Sequence, residues 1–377
     1  MKIGILTLPL HTNYGGILQA YALQTVLERM GHEVVVFDTP NKKSLPSFWK
    51  IPLTFAKRTV MKFLGKNDRI FTEYYYNKTR PIIARNIQPF IDKYIHRKVI
   101  RSFYNLQSED YDTIVVGSDQ VWRLIYFPGL WLGQQIENAY LDFAKNWNVK
   151  RIAYAASFGT EKWEYNDEQT KKCGQLLCKF DAVPTREING IELCKNKFNV
   201  CVRQVLDPTF LLKMEDYKEL FIKANIPKSE GSLLYYVLDT TDKIQSLIKN
   251  ISQEKHLVPF AVNNPYEYDD SRPVKERIKP SVETWLRGFY DAEFVVTDSF
   301  HACVFSILFK KQFIVVGNET RGMSRFYSLL NMFGLEDRLV AENSDIRLNN
   351  DIDYNLVYKK YSELKDASLD FLKQSLK

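Results

Sequence analysis

The feature that most constrains this chain is an alternation of short, continuous apolar runs with stretches of helical period, and it starts at residue 2. KIGILTL (2–8) is apolar almost throughout, as a strand covered on both faces must be. In the segment that follows, Leu18, Ala22, Val26 and Met30 form one apolar face, alternating with Ile17, Tyr21, Gln24 and Glu28. Asn13 is placed to cap this helix, and Gly31 supplies a left-handed stop. HEVVVFD (32–38) is the next strand. A strand, helix and strand in this order fold as a right-handed crossover between parallel strands.

The pattern continues through runs at 111–119, 151–159, 181–187 and 202–208. A second series at 233–239, 256–262, 293–301 and 312–318 alternates with helical candidates at 241–254, 281–290, 301–310 and 323–333. The acidic, Pro-containing stretch from Asp207 to Gly231 separates the two series. This predicts an α/β chain of two Rossmann-like, doubly wound halves facing a cleft. The expected division is 1–206, 207–360 and a C-terminal helix over 361–377, and 377 residues suit two domains. With 45% hydrophobic and 26% charged residues, a long disordered or collagen-like chain is excluded.

The run IGILTLPL is too short to span a bilayer and has no small-residue cleavage site after it. Cys173, Cys178, Cys194, Cys201 and Cys303 are odd in number and none forms a CxxC pair, so neither a disulfide framework nor a zinc ribbon fits. They read as reduced thiols of a cytosolic protein. No metal site is readable, and no redox cofactor is implied.

The formal net charge of +7 is unevenly spread, because residues 41–103 hold fifteen Lys and Arg against three Asp and Glu. Such asymmetry points to a local anionic partner. Within this insertion, Leu53, Ala56, Val60 and Phe63 share a helix face, with Lys57, Arg58 and Lys62 largely opposite. The preferred reading is a helical insertion whose apolar face packs on its own domain. The alternative is a helix lying on an anionic membrane surface. Nucleic-acid binding is disfavoured, since the aromatics here form no recognisable module.

In doubly wound sheets, ligands bind beyond the carboxyl ends of the strands. Four loops there carry chemistry. HTNYGG (11–16) brings paired glycines to a helix start, where backbone amides hold anions or a tight turn simply needs glycine. In GSDQVW (117–122), Asp119 either bonds or deprotonates a hydroxyl, or caps a helix. In PTREING (184–190), Arg186 either clamps a carboxylate or phosphate, or pairs with Glu187 or another carboxylate. In TDSFHA (297–302), His301 lies beside Asp298 and Ser299 in the first turn of a helix, as a catalytic or a structural imidazole. NETRGMSRF (318–326) adds Arg321, Ser324 and Arg325.

With these residues in view, the chain resembles the polysaccharide pyruvyl transferase family. The carrying segments are IGILTLPLHTNYGGILQAYALQTVL, IVVGSDQVW, YAASFG, PTRE, VLDPTFLL, TDSFHACVFSILF and RGMSRFYSLLNMFGLEDRL, in the family's order. The resemblance implies a GT-B-like fold and transfer of an enolpyruvyl-derived group from phosphoenolpyruvate onto two sugar hydroxyls, giving a cyclic pyruvate ketal and phosphate. Taken with the strand-end residues, it makes His301 the expected acid and phosphate contact, Asp119 the hydroxyl base or orienter and Arg186 the clamp, the three catalytic residues. Arg186, Ser299, His301, Arg321, Ser324 and Arg325 would meet the donor. Asn13, Tyr14, Gly15, Gly16, Asp119 and Gln120 would meet the acceptor. Many members carry Arg where this chain has Ser299, so Arg321 or Arg325 takes over the phosphate contact in this reading. Rival readings are a glycosyltransferase using a nucleotide sugar and a non-catalytic sugar-binding protein. If the acceptor sits on a polyprenyl diphosphate, residues 41–103 would hold the enzyme on the inner face of the cell membrane.

Overall fold

The computed structural model describes residues 1–377 except 40, 41, 44, 47, 67, 68, 127–135, 318–322 and 342–349. Among the described residues, the chain forms two five-stranded sheets in which every pairing is parallel. The first has the order β3-β2-β1-β4-β5, with β1 at Lys2–Leu6, β2 at Glu33–Asp38, β3 at Arg97–Val99, β4 at Thr113–Val116 and β5 at Lys150–Ala153. The second has the order β10-β9-β8-β6-β7, with β6 at Leu233–Tyr236, β7 at Pro259–Phe260, β8 at Phe294–Thr297, β9 at Gln312–Gly317 and β10 at Leu339–Ala341. Ile5 of β1 pairs with Val36 on one side and Val115 on the other, and because Ile3 and Ile5 enter one core and Leu6 another, the first run is apolar on both faces.

The helices are α1 (Tyr14–Arg29), α2 (Ile51–Phe63), α3 (Thr72–Ile83), α4 (Gln88–Tyr94), α5 (Asp167–Leu177), α6 (Ile188–Leu193), α7 (Met214–Lys223), α8 (Asp242–Lys255), α9 (Val282–Asp291), α10 (Phe300–Leu308), α11 (Met323–Phe333) and α12 (Tyr354–Leu376). Asn13 caps α1 by accepting from the Gly16 amide at 3.2 Å, and Gly31 follows with φ +87°. Helix α1 is buried on nearly every side because it stands between the halves. One core runs from Ile17, Leu18 and Leu23 through Phe210 and Leu211 to Trp285, Phe300 and Phe305. Separate cores cover the outer faces: Leu6, Phe37, Ile114 and Trp122 on the first sheet, and Leu233, Ile244, Val296 and Ile314 on the second. The halves therefore face a cleft at one end and share a core behind it.

Several apolar runs pair over less of their length than the sequence predicts. The runs at 111–119 and 151–159 form ladders only at 113–116 and 150–153, because Asp119 (φ +68°) and Ala155 (φ +55°) turn the chain. The runs at 181–187 and 202–208 make only isolated bridges, Ile152–Ala182, Ala156–Thr185 and Thr185–Gln204. Pro184, with no amide hydrogen to give, falls inside the first of them. The C-terminal helix starts at Tyr354 and crosses back to the chain leaving the first sheet. There the Tyr361 hydroxyl donates to the Phe210 carbonyl at 2.8 Å, and Ser368 Oγ accepts from the Leu206 amide at 3.1 Å.

The basic insertion bridges the halves. Arg58 of α2 donates twice to Glu73 of α3, at 2.8 Å each. Helix α3 in turn holds the second half, where Arg277 donates to the Tyr75 hydroxyl at 2.9 Å and the Lys279 amide donates to the Ile83 carbonyl at 2.9 Å. The expectation that Leu53, Ala56, Val60 and Phe63 pack inward is corrected, since all four are exposed and the opposite side of α2 makes the contacts. All five cysteines are free. Among the described residues, no helix is long and apolar enough to cross a membrane.

Candidate functional site

A pocket of about 660 Å³ lies between the carboxyl ends of the two sheets. The first half contributes the loop after β1, with His11, Asn13, Gly15 and Gly16, and the loop after β4, with Asp119, Gln120 and Arg123. The second half contributes Tyr236, Asp239, Glu267, Lys279, Trp285, Ser299, His301 and Arg325.

His301 stands in the first turn of α10, and the first turn of α1 meets it face on. A Cβ on Gly15 would lie 2.1 Å from His301 Nδ1, so only glycine admits this approach. The other ring nitrogen, Nε2, faces Asp207 Oδ2 at 3.7 Å. Asp207 is buried and fully engaged. Its Oδ1 accepts from the Thr209 amide at 3.1 Å and hydroxyl at 2.7 Å, and its Oδ2 accepts from Ser118 and Arg186 at 2.8 Å each. Burial opposes the charge of this carboxylate, but His301, Arg186 and Thr209 outweigh it and hold the group well below the usual carboxylate range.

Arg186 is the hub beneath the pocket floor. Besides Asp207, it pairs with Asp119 and Glu187 at 3.4 Å each, and its guanidinium lies 4.3 Å from the centre of the Phe300 ring. It is 2% exposed and does not line the pocket. The expectation that Arg186 clamps a donor anion is therefore corrected: three carboxylates surround it, and its place is to hold Asp119 and Asp207 where they are. Asp119 does line the pocket. It caps no helix, and with its backbone in the left-handed region it sends its carboxylate to Arg186 and, at 3.4 Å, to Asn13 Nδ2.

The remaining expected residues divide. Asn13, Gly15, Gly16, Gln120, Ser299 and Arg325 line the pocket with Asp119 and His301. Arg325 is buried near Glu187, whose charge supports it against burial. Tyr14 is corrected: it is 1% exposed, its ring stacks on Trp285 at 5.6 Å, and its hydroxyl donates to the Pro280 carbonyl at 2.8 Å, so it braces one half against the other. Ser324 is corrected as well, because it lines a separate hollow with Glu161, Asn189 and Tyr327. Arg321 lies outside the described residues.

Sequence reasoning passed over the other end of the pocket. There Lys279, buried, donates to Glu267 at 2.7 Å, and Arg80 of α3 reaches the same carboxylate at 3.5 Å. Burial and the Arg80 charge hold the Lys279 ammonium below the usual lysine range despite Glu267. His11 accepts from the Thr12 amide through Nδ1 at 2.6 Å. Burial, with the charges of Arg80 and Lys279, lowers its pKa to about 4, so its ring is neutral near pH 7. His11 lies in the loop after β1, the kind of position that singled out Asp119, so that signal applied to it too, whereas Asp207 follows a run that makes only an isolated bridge. Lys279 has no local signal, since its partners come from other parts of the chain.

The pocket thus joins an imidazole backed by a carboxylate, a pocket-facing carboxylate, buried cations and aromatic walls. The sequence matches the family model for polysaccharide pyruvyl transferase over residues 13–320, which contains Asn13, Asp119, Arg186, Asp207 and His301. No curated protein matches the sequence. Among solved structures, the chain is similar to the UDP-GlcNAc 2-epimerase from Methanocaldococcus jannaschii, with 13% identity, a TM-score of 0.44, and coverage of 96% of this chain and 92% of that one. It is also similar to Arabidopsis thaliana UGT89C1 complexed with UDP-L-rhamnose, with 9% identity, a TM-score of 0.47, and coverage of 98% and 97%.

Proposed function

The chain belongs to the polysaccharide pyruvyl transferase family, a transferase family acting on polysaccharide, and from that premise we propose that it forms a cyclic pyruvate ketal on a sugar with phosphoenolpyruvate as donor. The observation that carries this reading is the meeting of His301, backed by Asp207, with the first turn of α1 inside a pocket that also holds Asp119 and Arg325.

The donor carries a carboxylate and a phosphate, and its reaction needs a proton at the methylene carbon, a base for the incoming hydroxyl and cations for the departing phosphate. His301 supplies the proton from Nδ1, the nitrogen turned toward pocket residue Gly15, while Asp207 Oδ2 stands 3.7 Å from Nε2 on the other side of the ring. Protonation makes the central carbon electrophilic. One sugar hydroxyl adds there and passes its proton to Asp119. Phosphate leaves with the C–O bonding pair, and the second hydroxyl closes the ring, its proton passing to the departing phosphate. Arg325, like Lys279, is a buried cation that lines the pocket, and Arg123, half-buried and paired with Glu164 at 3.5 Å, lines it as well. The aromatic end, with Trp285, Tyr236 and Lys279–Glu267, suits the flat faces and hydroxyls of the acceptor sugar.

The test is to incubate the protein with phosphoenolpyruvate and candidate glycans, measuring phosphate and the mass of the glycan. Phosphate release matched by a ketal on the glycan is expected. Transfer of a sugar from a nucleotide sugar, with no reaction of phosphoenolpyruvate, would replace this reading by the glycosyltransferase one.

A further inference from the structure

Helix α2 is amphipathic, but its packing is reversed. The side that holds α3 carries Phe55, whose ring meets Phe71 edge-on at 5.2 Å, and Arg58, bonded twice to Glu73. The apolar stripe faces solvent instead: Leu53 is 75% exposed, Val60 55%, Phe63 87% and Leu64 70%. Phe48 and Trp49, in the turn that leads into α2, extend the same patch at 85% and 81%. Large apolar side chains gathered in the open mark a surface built to be covered.

The charge around the patch says by what. From residue 42 to 66 the sequence holds seven Lys and Arg and no Asp or Glu. Arg58 turns inward to Glu73, while Lys50, Lys57, Lys62 and Lys66 are exposed. A second copy of the chain seated here would set like charges against one another. An anionic surface with an apolar interior satisfies both features at once, since Trp, Phe and Leu enter the acyl boundary while lysines meet the headgroups.

We propose that α2 and the turn before it seat the protein on an anionic phospholipid bilayer. The insertion transmits that seating to the pocket: α2 is fixed to α3, and Arg80 of α3 reaches Glu267 on the pocket wall at 3.5 Å. The surface stands on its own geometry and does not depend on the donor chemistry proposed above.

The experiment is sedimentation of the full chain with phosphatidylcholine vesicles, with and without about one-third phosphatidylglycerol. Binding to the anionic vesicles that weakens with salt is expected. The combined Leu53→Ser, Val60→Ser and Phe63→Ser variant should bind at least about tenfold more weakly. Lys50→Gln, Lys57→Gln and Lys62→Gln should each cost about fivefold. Thermal melting and turnover of a soluble acceptor should not change in these variants, which separates lost seating from lost folding. The proposal falls if the wild type ignores anionic vesicles, if the serine variant binds as well as the wild type, or if the wild type is a dimer that the serine variant turns into a monomer. An inactive protein that still binds vesicles would remove the proposed chemistry and leave this surface standing.

Discussion

Two cation-bearing regions of this molecule show opposite solutions to the same electrostatic problem. Arg186 is buried among Asp119, Glu187 and Asp207, and each charge there is answered by another. On and just before α2, Lys50, Lys57 and Lys62 are exposed to water, and among the described residues they form no ion pair. The first arrangement holds the floor of the pocket together, because removing one member leaves the others uncompensated in a low-dielectric interior. The second contributes little to the fold and is available to a partner. Burial, and not the density of positive charge along the sequence, decides which role a cation takes.

The contrast can be broken most sharply at its buried pole. Arg186→Met should cost about 3–5 kcal/mol in urea unfolding, since three carboxylates lose their shared counter-charge, and a loss under about 1 kcal/mol would show that the cluster does not hold the floor. His301→Ala should lower ketal formation by about 10²–10⁴-fold with little change in the unfolding midpoint, separating the group that meets substrate from the groups that position it. Gly15→Ala places a Cβ 2.1 Å from His301 Nδ1, and overpacking of about 1–3 kcal/mol together with reduced turnover should follow. A stable, fully active Gly15→Ala protein would mean that α1 and α10 need not meet.

A pH series sharpens the comparison further. Above pH 6.5, the ordinary histidine value, His11 is neutral folded or unfolded and contributes nothing. As pH falls from 6.5 toward about 4, the unfolded chain takes up a proton that the folded ring refuses, so stability declines. Allowing for the ring's partial exposure, the decline is about 2 kcal/mol. His11→Gln should remove it, as read from urea midpoints at pH 7.5 and 4.5. Asp207 acts in another window. Its lowered folded value gives stability that is present above the usual carboxylate range and is lost as pH falls below it. The smallest effect belongs to the exposed pole: Leu53→Ser should shift unfolding by no more than about 0.5 kcal/mol.

Much of the site was legible, and the errors share a cause. Asp119, Ser299, His301 and Arg325 were marked by their places at strand ends, and the pocket lies there. Arg186 was marked by the same rule, but its true surroundings include Asp119, 67 residues away, and Asp207, 21 residues away. Tyr14 reads locally as part of a ligand loop, yet its ring is taken by Trp285 of the other half.

The amino-acid sequence determined the two parallel sheets, the capped helix α1 and the loops that border the pocket. Those features depend on periodicity and capping within a few residues, and side-chain burial on a strand or helix follows from spacing alone. Only the tertiary structure decided that Arg186 is a support instead of a clamp, that His11 and Lys279 share the pocket, and that the apolar stripe of α2 faces outward. Each of those outcomes depends on which distant groups meet in space, because the charge state and exposure of a side chain are set by its neighbours in three dimensions and not by its neighbours along the chain.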